Sequence, residues 1–132
     1  MFIHTSIRTN NMDRSISFYK DFLGLEVMNR IQIPSNNAEI VFLKDPDGKG
    51  STLEITYYRD QKTFKQADYE HRLFDHIAFE VKDMEKIINA LRKAKITITD
   101  EPFSLGSKGP LIAFIEDPNG ILIELVERKK SN

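Results

Sequence analysis

Polar and apolar residues follow two different periods along this chain, and these periods predict its secondary structure. Helical spacing covers residues 12–22, with Asn11 as N-cap and Gly24 as the stop, and it recurs after Asp83. The apolar stripes of the two helices are Ile16, Phe18, Tyr19, Phe22 and Leu23, and then Met84, Ile87, Ile88 and Leu91. Runs that alternate, or that are rich in β-branched and aromatic residues, predict eight strands, at residues 2–8, 25–33, 39–43, 51–58, 74–81, 95–100, 111–116 and 120–127.

The same order of elements occurs twice along the chain. Two Asp-Pro-Asx-Gly turns begin 72 residues apart, at Asp45 and Asp117. A histidine stands upstream of each turn, and His4 and His76 are also 72 residues apart. This spacing indicates a tandem duplication of about 70 residues.

Each copy is predicted to run as a strand, a helix and three further strands. That order predicts an α+β fold of two βαβββ modules, with the helices outside and a curved mixed sheet inside. We interpret residues 1–132 as one domain with modules 1–60 and 73–132, joined by the polar connector 61–72. Residues 129–132 are expected to form a solvated tail.

The composition narrows the classes of protein and of site. Because 19 basic residues face 20 acidic ones, no strong positive field is available to hold a nucleic-acid backbone. The absence of cysteine excludes disulfides, thiolate catalysis, iron–sulfur clusters and cysteine zinc sites. No apolar run approaches the roughly 18 residues of a membrane span, and no signal-peptide pattern is visible. We therefore expect a soluble cytoplasmic protein in which histidines and carboxylates hold any metal.

Strand alternation places one histidine and one glutamate of each copy on the sheet face away from its helix. Glu124 lies inside the run Ile-Leu-Ile-Glu-Leu-Val, where an unpaired buried carboxylate would be costly, and Glu54 recurs in phase with it. A single histidine or glutamate on a strand is usually only hydrogen-bonded or solvated, but that interpretation does not explain the recurrence of both. We therefore predict that His4, Glu54, His76 and Glu124 bind a metal ion.

Several segments carry a resemblance to a known family. They include His-Thr-Ser-Ile-Arg at residues 4–8, Leu-Glu-Ile-Thr-Tyr at 53–57, Asp-His-Ile-Ala-Phe-Glu-Val at 75–81 and Ile-Glu-Leu at 123–125. Over nearly its whole length the chain resembles the glyoxalase I, or lactoylglutathione lyase, family of the vicinal oxygen chelate superfamily. The order His, Glu, His, Glu is the most specific part of this resemblance.

The resemblance implies a substrate, a product and an assembly. The substrate would be the hemithioacetal of methylglyoxal and glutathione, isomerised through an enediolate to S-D-lactoylglutathione. Family members are commonly homodimers, so that His4 and Glu54 of one chain would meet His76 and Glu124 of the other. The compact chain resembles the bacterial form activated by Ni²⁺ or Co²⁺ rather than the longer Zn²⁺ form.

The chemistry of the ligand set agrees with that resemblance. Two imidazoles and two carboxylates suit nickel, cobalt, zinc or manganese. A tetrahedral four-ligand zinc would be closed and structural, whereas a six-coordinate ion keeps two positions for a substrate with adjacent oxygens. Because a proton must leave one carbon and return to its neighbour, we predict Glu124 as the main base and Glu54 as a ligand and second acid–base group.

Four further residues are predicted to contact the substrate. Arg8 matches a position that holds the glutathione carboxylate in the family, and Arg72 matches another such arginine in some members. Lys108 lies in a Gly- and Ser-rich loop suited to a lid. Tyr58 stands where the family usually has an asparagine that contacts glutathione. This departure leaves the identity of the thiol carrier open.

Three alternative functions compete with this interpretation, and the ligand pattern bears on each of them. Methylmalonyl-CoA epimerase uses a similar four-ligand centre and also moves a proton beside a carbonyl. An extradiol dioxygenase needs two histidines and one carboxylate in one half of the chain. A metal-free drug-binding resistance protein would not need all four ligands.

Overall fold

The chain forms two compact units in a computed structural model that describes residues 1–61, 63–66 and 68–129. The units are Met1–Lys65 and Gln66–Asn132, so their boundary falls inside the predicted connector. Residues 62 and 67 of that connector and 130–132 of the predicted tail lie outside the described residues. Within the described part of the chain, no helix has the length and apolarity needed to cross a membrane.

The first unit contains one helix and a mixed four-stranded sheet. Its elements are β1 (His4–Arg8), α1 (Met12–Asp21), β2 (Glu26–Ile33), a 3-10 turn (Pro34–Asn36), β3 (Ala38–Lys44) and β4 (Thr52–Tyr58). The strand order is β1-β4-β3-β2, in which β1 is parallel to β4 and the other neighbours are antiparallel.

The second unit repeats this architecture. Its elements are β5 (Ile77–Glu80), α2 (Met84–Lys93), β6 (Ile98–Ser104), β7 (Leu111–Glu116) and β8 (Leu122–Glu127). The order β5-β8-β7-β6 again has one parallel pair, β5 with β8, beside antiparallel neighbours. The predicted pair of βαβββ modules is therefore confirmed, with each module forming its own sheet.

Several strand ends differ from the prediction because alternation does not show where a partner strand stops. The strand predicted at 74–81 begins only at Ile77, since β8 pairs with Ile77–Glu80 and not with earlier residues. His76 therefore stands immediately before the strand. The strand predicted at 95–100 begins at Ile98, because Lys95 takes a left-handed φ of 58° as the chain leaves α2.

Both predicted N-caps are confirmed. The Asn11 side chain accepts a hydrogen bond from the Arg14 N–H at 3.1 Å, and Asp83 accepts one from the Lys86 N–H at 3.1 Å. Each bond satisfies a backbone donor that the first helical turn leaves unpaired. Gly24 has a φ of 74° and donates to the Lys20 carbonyl, as expected of a residue that ends a helix.

The core of each unit lies between its helix and the helix-facing side of its sheet. In the first unit it is formed by Met12, Phe18, Tyr19, Val41, Leu43 and Ile55, and in the second by Met84, Ile88, Leu91, Ala113, Ile115, Ile123 and Leu125. Four predicted stripe residues, Ile16, Phe22, Leu23 and Ile87, are only half-buried. The opposite face of each sheet carries a candidate glutamate among apolar and polar neighbours, Glu54 in the first unit and Glu124 in the second.

Candidate metal centre

One nitrogen–oxygen pair lies on the sheet face of the first unit that points away from α1. His4 opens β1 and Glu54 is in the middle of β4, and the parallel register pairs Ser6 with Glu54. His4 Nε2 is 3.0 Å from Glu54 Oε2. The glutamate side chain is 13% exposed, so its carboxylate is close to solvent without being fully solvated.

The second unit contains the same pair of atoms at the same distance. His76 precedes β5, Glu124 lies in β8, and the register pairs Ala78 with Glu124. His76 Nε2 is 3.0 Å from Glu124 Oε2. The two pairs thus occupy equivalent positions of the repeat, and each pair lies within one unit.

A phenylalanine accompanies each pair, and the sequence analysis missed it. Phe42 and Phe114 lie directly across the strand from Glu54 and Glu124. Their rings meet the imidazoles of His4 and His76 edge to face, with ring centroids 5.7 and 5.5 Å apart. Such contacts restrict the tilt of an imidazole ring. The signal in the sequence was the 72-residue separation of the two phenylalanines, identical to that of the histidines.

The contacts around the two pairs differ. In the first unit, Glu54 Oε1 accepts hydrogen bonds from Ser6 Oγ at 2.9 Å and from Thr56 Oγ1 at 3.0 Å. In the second unit it is the histidine that has an outer partner, because His76 Nδ1 lies 2.6 Å from Asp75 Oδ1. An outer partner on one ring nitrogen orients the other nitrogen toward a metal.

The donor atoms fit a divalent cation. Imidazole nitrogen together with carboxylate oxygen is a ligand set for nickel, cobalt or zinc. Among the described residues, no group of three or more His, Asp or Glu side chains is placed to hold a metal ion. Each unit therefore offers two of the four predicted ligands.

Two of the predicted substrate contacts, Arg8 and Tyr58, lie together in the first unit. The Arg8 guanidinium carbon is 4.8 Å from the centroid of the Tyr58 ring, and Arg8 Nη1 donates to Gln61 Oε1 at 3.1 Å. They line a pocket of about 650 Å³ with Asn36, Asp60, Gln61 and Thr63. A cation stacked on an aromatic face keeps its remaining N–H groups free for an anionic ligand.

The other two predicted contacts lie in the second unit without contacting its His–Glu pair. Arg72 stacks on Tyr69, with its guanidinium carbon 4.9 Å from the ring centroid. Lys108 is exposed in the loop between β6 and β7. Within the part of the chain that the structure describes, neither contacts His76 or Glu124, so their roles remain predictions.

A buried carboxylate on the other face of the first sheet has a different environment. Glu39 shares the helix-facing side with Val41, and its side chain is 9% exposed. Burial by itself raises the pKa of Glu39, but hydrogen bonds from Arg30 and Gln32, with the charges of Arg30 and Arg59, lower that pKa overall. Arg30 Nη2 lies 2.9 Å from Glu39 Oε1. This group belongs to the core rather than to the candidate metal centre.

Comparisons with known proteins agree with this arrangement. The chain is 33% identical to the lactoylglutathione lyase of Haemophilus influenzae over 98% of its own length and 93% of that protein's. It is 30% identical to a probable lactoylglutathione lyase of Vibrio cholerae, over 98% and 92%. Among solved structures, the trypanothione-dependent glyoxalase I of Leishmania major is similar, with a TM-score of 0.79 and 32% identity over 95% of this chain and 84% of that one.

The sequence model of one superfamily matches nearly the whole chain, from residue 2 to residue 125. That span contains both helices and all four predicted ligands. The matching architecture, the repeated His–Glu pairs and the relatives lead to the same assignment. The chain belongs to the Glyoxalase/Bleomycin resistance protein/Dioxygenase superfamily.

Proposed function

We propose that this protein is a metal-dependent lactoylglutathione lyase, which isomerises the hemithioacetal of methylglyoxal and glutathione to S-D-lactoylglutathione. The observation that carries the proposal is the pair of His Nε2–Glu Oε2 contacts, each 3.0 Å long and at equivalent positions of the repeat. The same order of ligands runs through a chain that is 33% identical to a lactoylglutathione lyase.

The two glutamates supply the proton chemistry in this proposal. Isomerisation takes a proton from the carbon that bears sulfur and returns it to the neighbouring carbon. Glu124 is the base that accepts and returns this proton, while Glu54 remains a ligand and a second acid–base group. A divalent cation, when bound, supplies positive charge that stabilises the negative charge developing on the two adjacent substrate oxygens.

The proposal extends to the metal and the assembly. Because each unit offers one histidine and one glutamate, a four-ligand centre needs the pair of a first unit and the pair of a second unit. We propose a homodimer in which His4 and Glu54 of one chain act with His76 and Glu124 of the other, loaded with Ni²⁺ or Co²⁺, with Zn²⁺ as the alternative. Its place is the cytoplasm, where the glutathione pool keeps thiols reduced.

The thiol carrier is proposed to bind through Arg8, Tyr58, Arg72 and Lys108. The pocket of Arg8 and Tyr58 also contains Asp60 and the amides of Asn36 and Gln61, so it offers partners for carboxylate, amine and peptide groups. The Leishmania major relative is trypanothione-dependent. Glutathione and trypanothione hemithioacetals should therefore be compared directly.

The arrangement of the pairs bears on one alternative. An extradiol dioxygenase needs two histidines and one carboxylate from one half of the chain, and each described unit instead presents one histidine beside one glutamate. A lyase and an acyl-CoA epimerase both move a proton beside a carbonyl, so only the substrate separates them.

A side-by-side assay separates these two reactions. The Ni²⁺-loaded protein is given the methylglyoxal–glutathione hemithioacetal in one reaction and methylmalonyl-CoA in another. Product is identified by proton NMR in each. We expect lactoylglutathione only, and epimerisation without lyase turnover would contradict the proposal.

A further inference from the structure

The two candidate glutamates are not equivalent in what holds them. Glu54 Oε2 faces His4, and its other oxygen accepts two hydroxyl hydrogen bonds, from Ser6 and Thr56. Glu124 Oε2 faces His76, but among the described residues no donor contacts its other oxygen. One carboxylate is tethered at both oxygens and the other at one.

The difference comes from two substitutions between the copies of the repeat. Ser6 is the strand neighbour of Glu54, and the matching neighbour of Glu124 is Ala78. Thr56 follows Glu54 by two residues on the same face, and Val126 follows Glu124 in the same way. The second copy therefore has no hydroxyl at either of these places.

The histidines show the opposite asymmetry. His76 Nδ1 lies 2.6 Å from the Asp75 carboxylate, whereas the residue before His4 is Ile3, which has no polar side chain. The first unit thus gives its glutamate two additional hydrogen bonds, and the second unit instead gives its histidine an outer partner. A fixed metal ligand needs its carboxylate held in place, whereas a base that carries a proton needs a carboxylate that can move.

We infer that Ser6 and Thr56 are positioning residues that hold Glu54 as a fixed metal ligand. Ala78 and Val126, at the matching places beside Glu124, have no hydroxyl, which leaves the Glu124 carboxylate free to move a proton. This inference rests on the proposed function for the role of Glu124. Hydrogen bonds to an ionised carboxylate are among the stronger ones in proteins. Thr56 is 6% exposed, so water competes little for its hydroxyl.

Ni²⁺ affinity of the full-length protein tests the tether in the first unit. Thr56→Val keeps the shape of the side chain and removes the hydroxyl, while Thr56→Ser keeps the hydroxyl and removes the methyl group. Outer partners of metal ligands typically contribute about 10–100-fold in affinity. By calorimetric titration we expect Thr56→Val to bind Ni²⁺ about tenfold or more weakly, and Thr56→Ser to bind nearly as tightly as the unaltered protein.

Equal Ni²⁺ affinity in Thr56→Val and the unaltered protein would overturn the positioning role. Equal losses in Thr56→Val and Thr56→Ser would also overturn it, because the hydroxyl would then not be the cause. Melting temperatures of the metal-free proteins show whether packing has changed.

The mirror-image change in the second unit tests the claim about Glu124. Val126→Thr places a hydroxyl where Thr56 stands in the first unit, and a tether there should lower kcat about tenfold with little change in KM. Val126→Ala is the matched control, because it removes methyl groups without adding a donor. Unchanged kcat in Val126→Thr, or an equal fall in Val126→Ala, would contradict the inference.

Lyase activity of the unaltered protein, measured in the same preparations, separates a failure of the proposed function from a failure of the positioning role of Thr56. Weaker Ni²⁺ binding by Thr56→Val with no lyase activity in the unaltered protein would refute the proposed function and leave the tether supported. Normal lyase activity with unchanged Ni²⁺ affinity in Thr56→Val would overturn the tether alone.

Discussion

At the scale of single residues, the carboxylates of Glu54 and Glu124 lie at equivalent positions of the repeat but have different neighbours. Each of the two has the same strand register, its own histidine partner and its own phenylalanine neighbour. They differ in the two hydroxyls, of Ser6 and Thr56, that contact Glu54. In the proposed function, this difference in surroundings would give the two equivalent glutamates different roles.

Replacing the proposed base tests the residue-level assignment. Glu124→Gln keeps the size of the side chain and removes its ability to accept a proton, so we expect kcat to fall by about 10²–10⁴-fold. The far-UV circular dichroism spectrum should remain that of the unaltered protein. Turnover near the normal value, measured with metal in excess, would remove Glu124 from that role.

A second residue-level prediction concerns acid stability and Glu39. Its pKa lies below the ordinary value of 4.5, so its stabilisation is fully present above that value and is lost as pH falls through the lowered pKa. Glu39→Gln should reduce the free energy of unfolding at neutral pH by about 1–3 kcal/mol. The difference from the unaltered protein should shrink as the pH falls below about 4.5.

Urea unfolding at neutral pH and at about pH 3 measures that difference. The exposed Glu26→Gln is the control, with an expected effect within about 0.5 kcal/mol. A Glu39→Gln difference that stays constant from neutral to acid pH would show that the Glu39 charge does not contribute.

At the scale of elements, the first turn of each helix is capped by one side chain, Asn11 in α1 and Asp83 in α2. Asp83→Ala removes the acceptor of the Lys86 N–H bond and should destabilise the protein by about 1 kcal/mol. Asp83→Asn keeps an oxygen in the same place and should lose much less. Chemical denaturation of both variants tests this, and equal losses would show that the negative charge matters rather than the hydrogen bond.

The elements were largely predictable from the sequence, whereas their ends were not. Alternating runs and runs rich in β-branched and aromatic residues identified the eight strands of the described chain, and cap residues identified both helix starts. The start of a strand depends on how far its partner extends, which is a property of two segments. That is why β5 begins at Ile77 although the alternation reaches back to residue 74.

At the scale of the whole molecule, the repeat made the candidate site predictable. His4, Glu54, His76 and Glu124 were proposed as ligands because they recur in phase, and in the structure each His–Glu pair is 3.0 Å apart. Ser6 and Thr56 were missed because they do not recur. A search for repetition detects what the two copies share, whereas the proposed difference in role between Glu54 and Glu124 depends on residues that the copies do not share.

Metal-dependent formation of lactoylglutathione is the most direct test of the proposed function. The protein is stripped of metal with a chelator, dialysed, and assayed with methylglyoxal and glutathione before and after addition of Ni²⁺. We expect no turnover in the stripped protein and recovery of turnover on reloading. Bound Ni²⁺ without lactoylglutathione formation, or equal turnover in the stripped and reloaded protein, would contradict the proposal that this chain is a metal-dependent lyase.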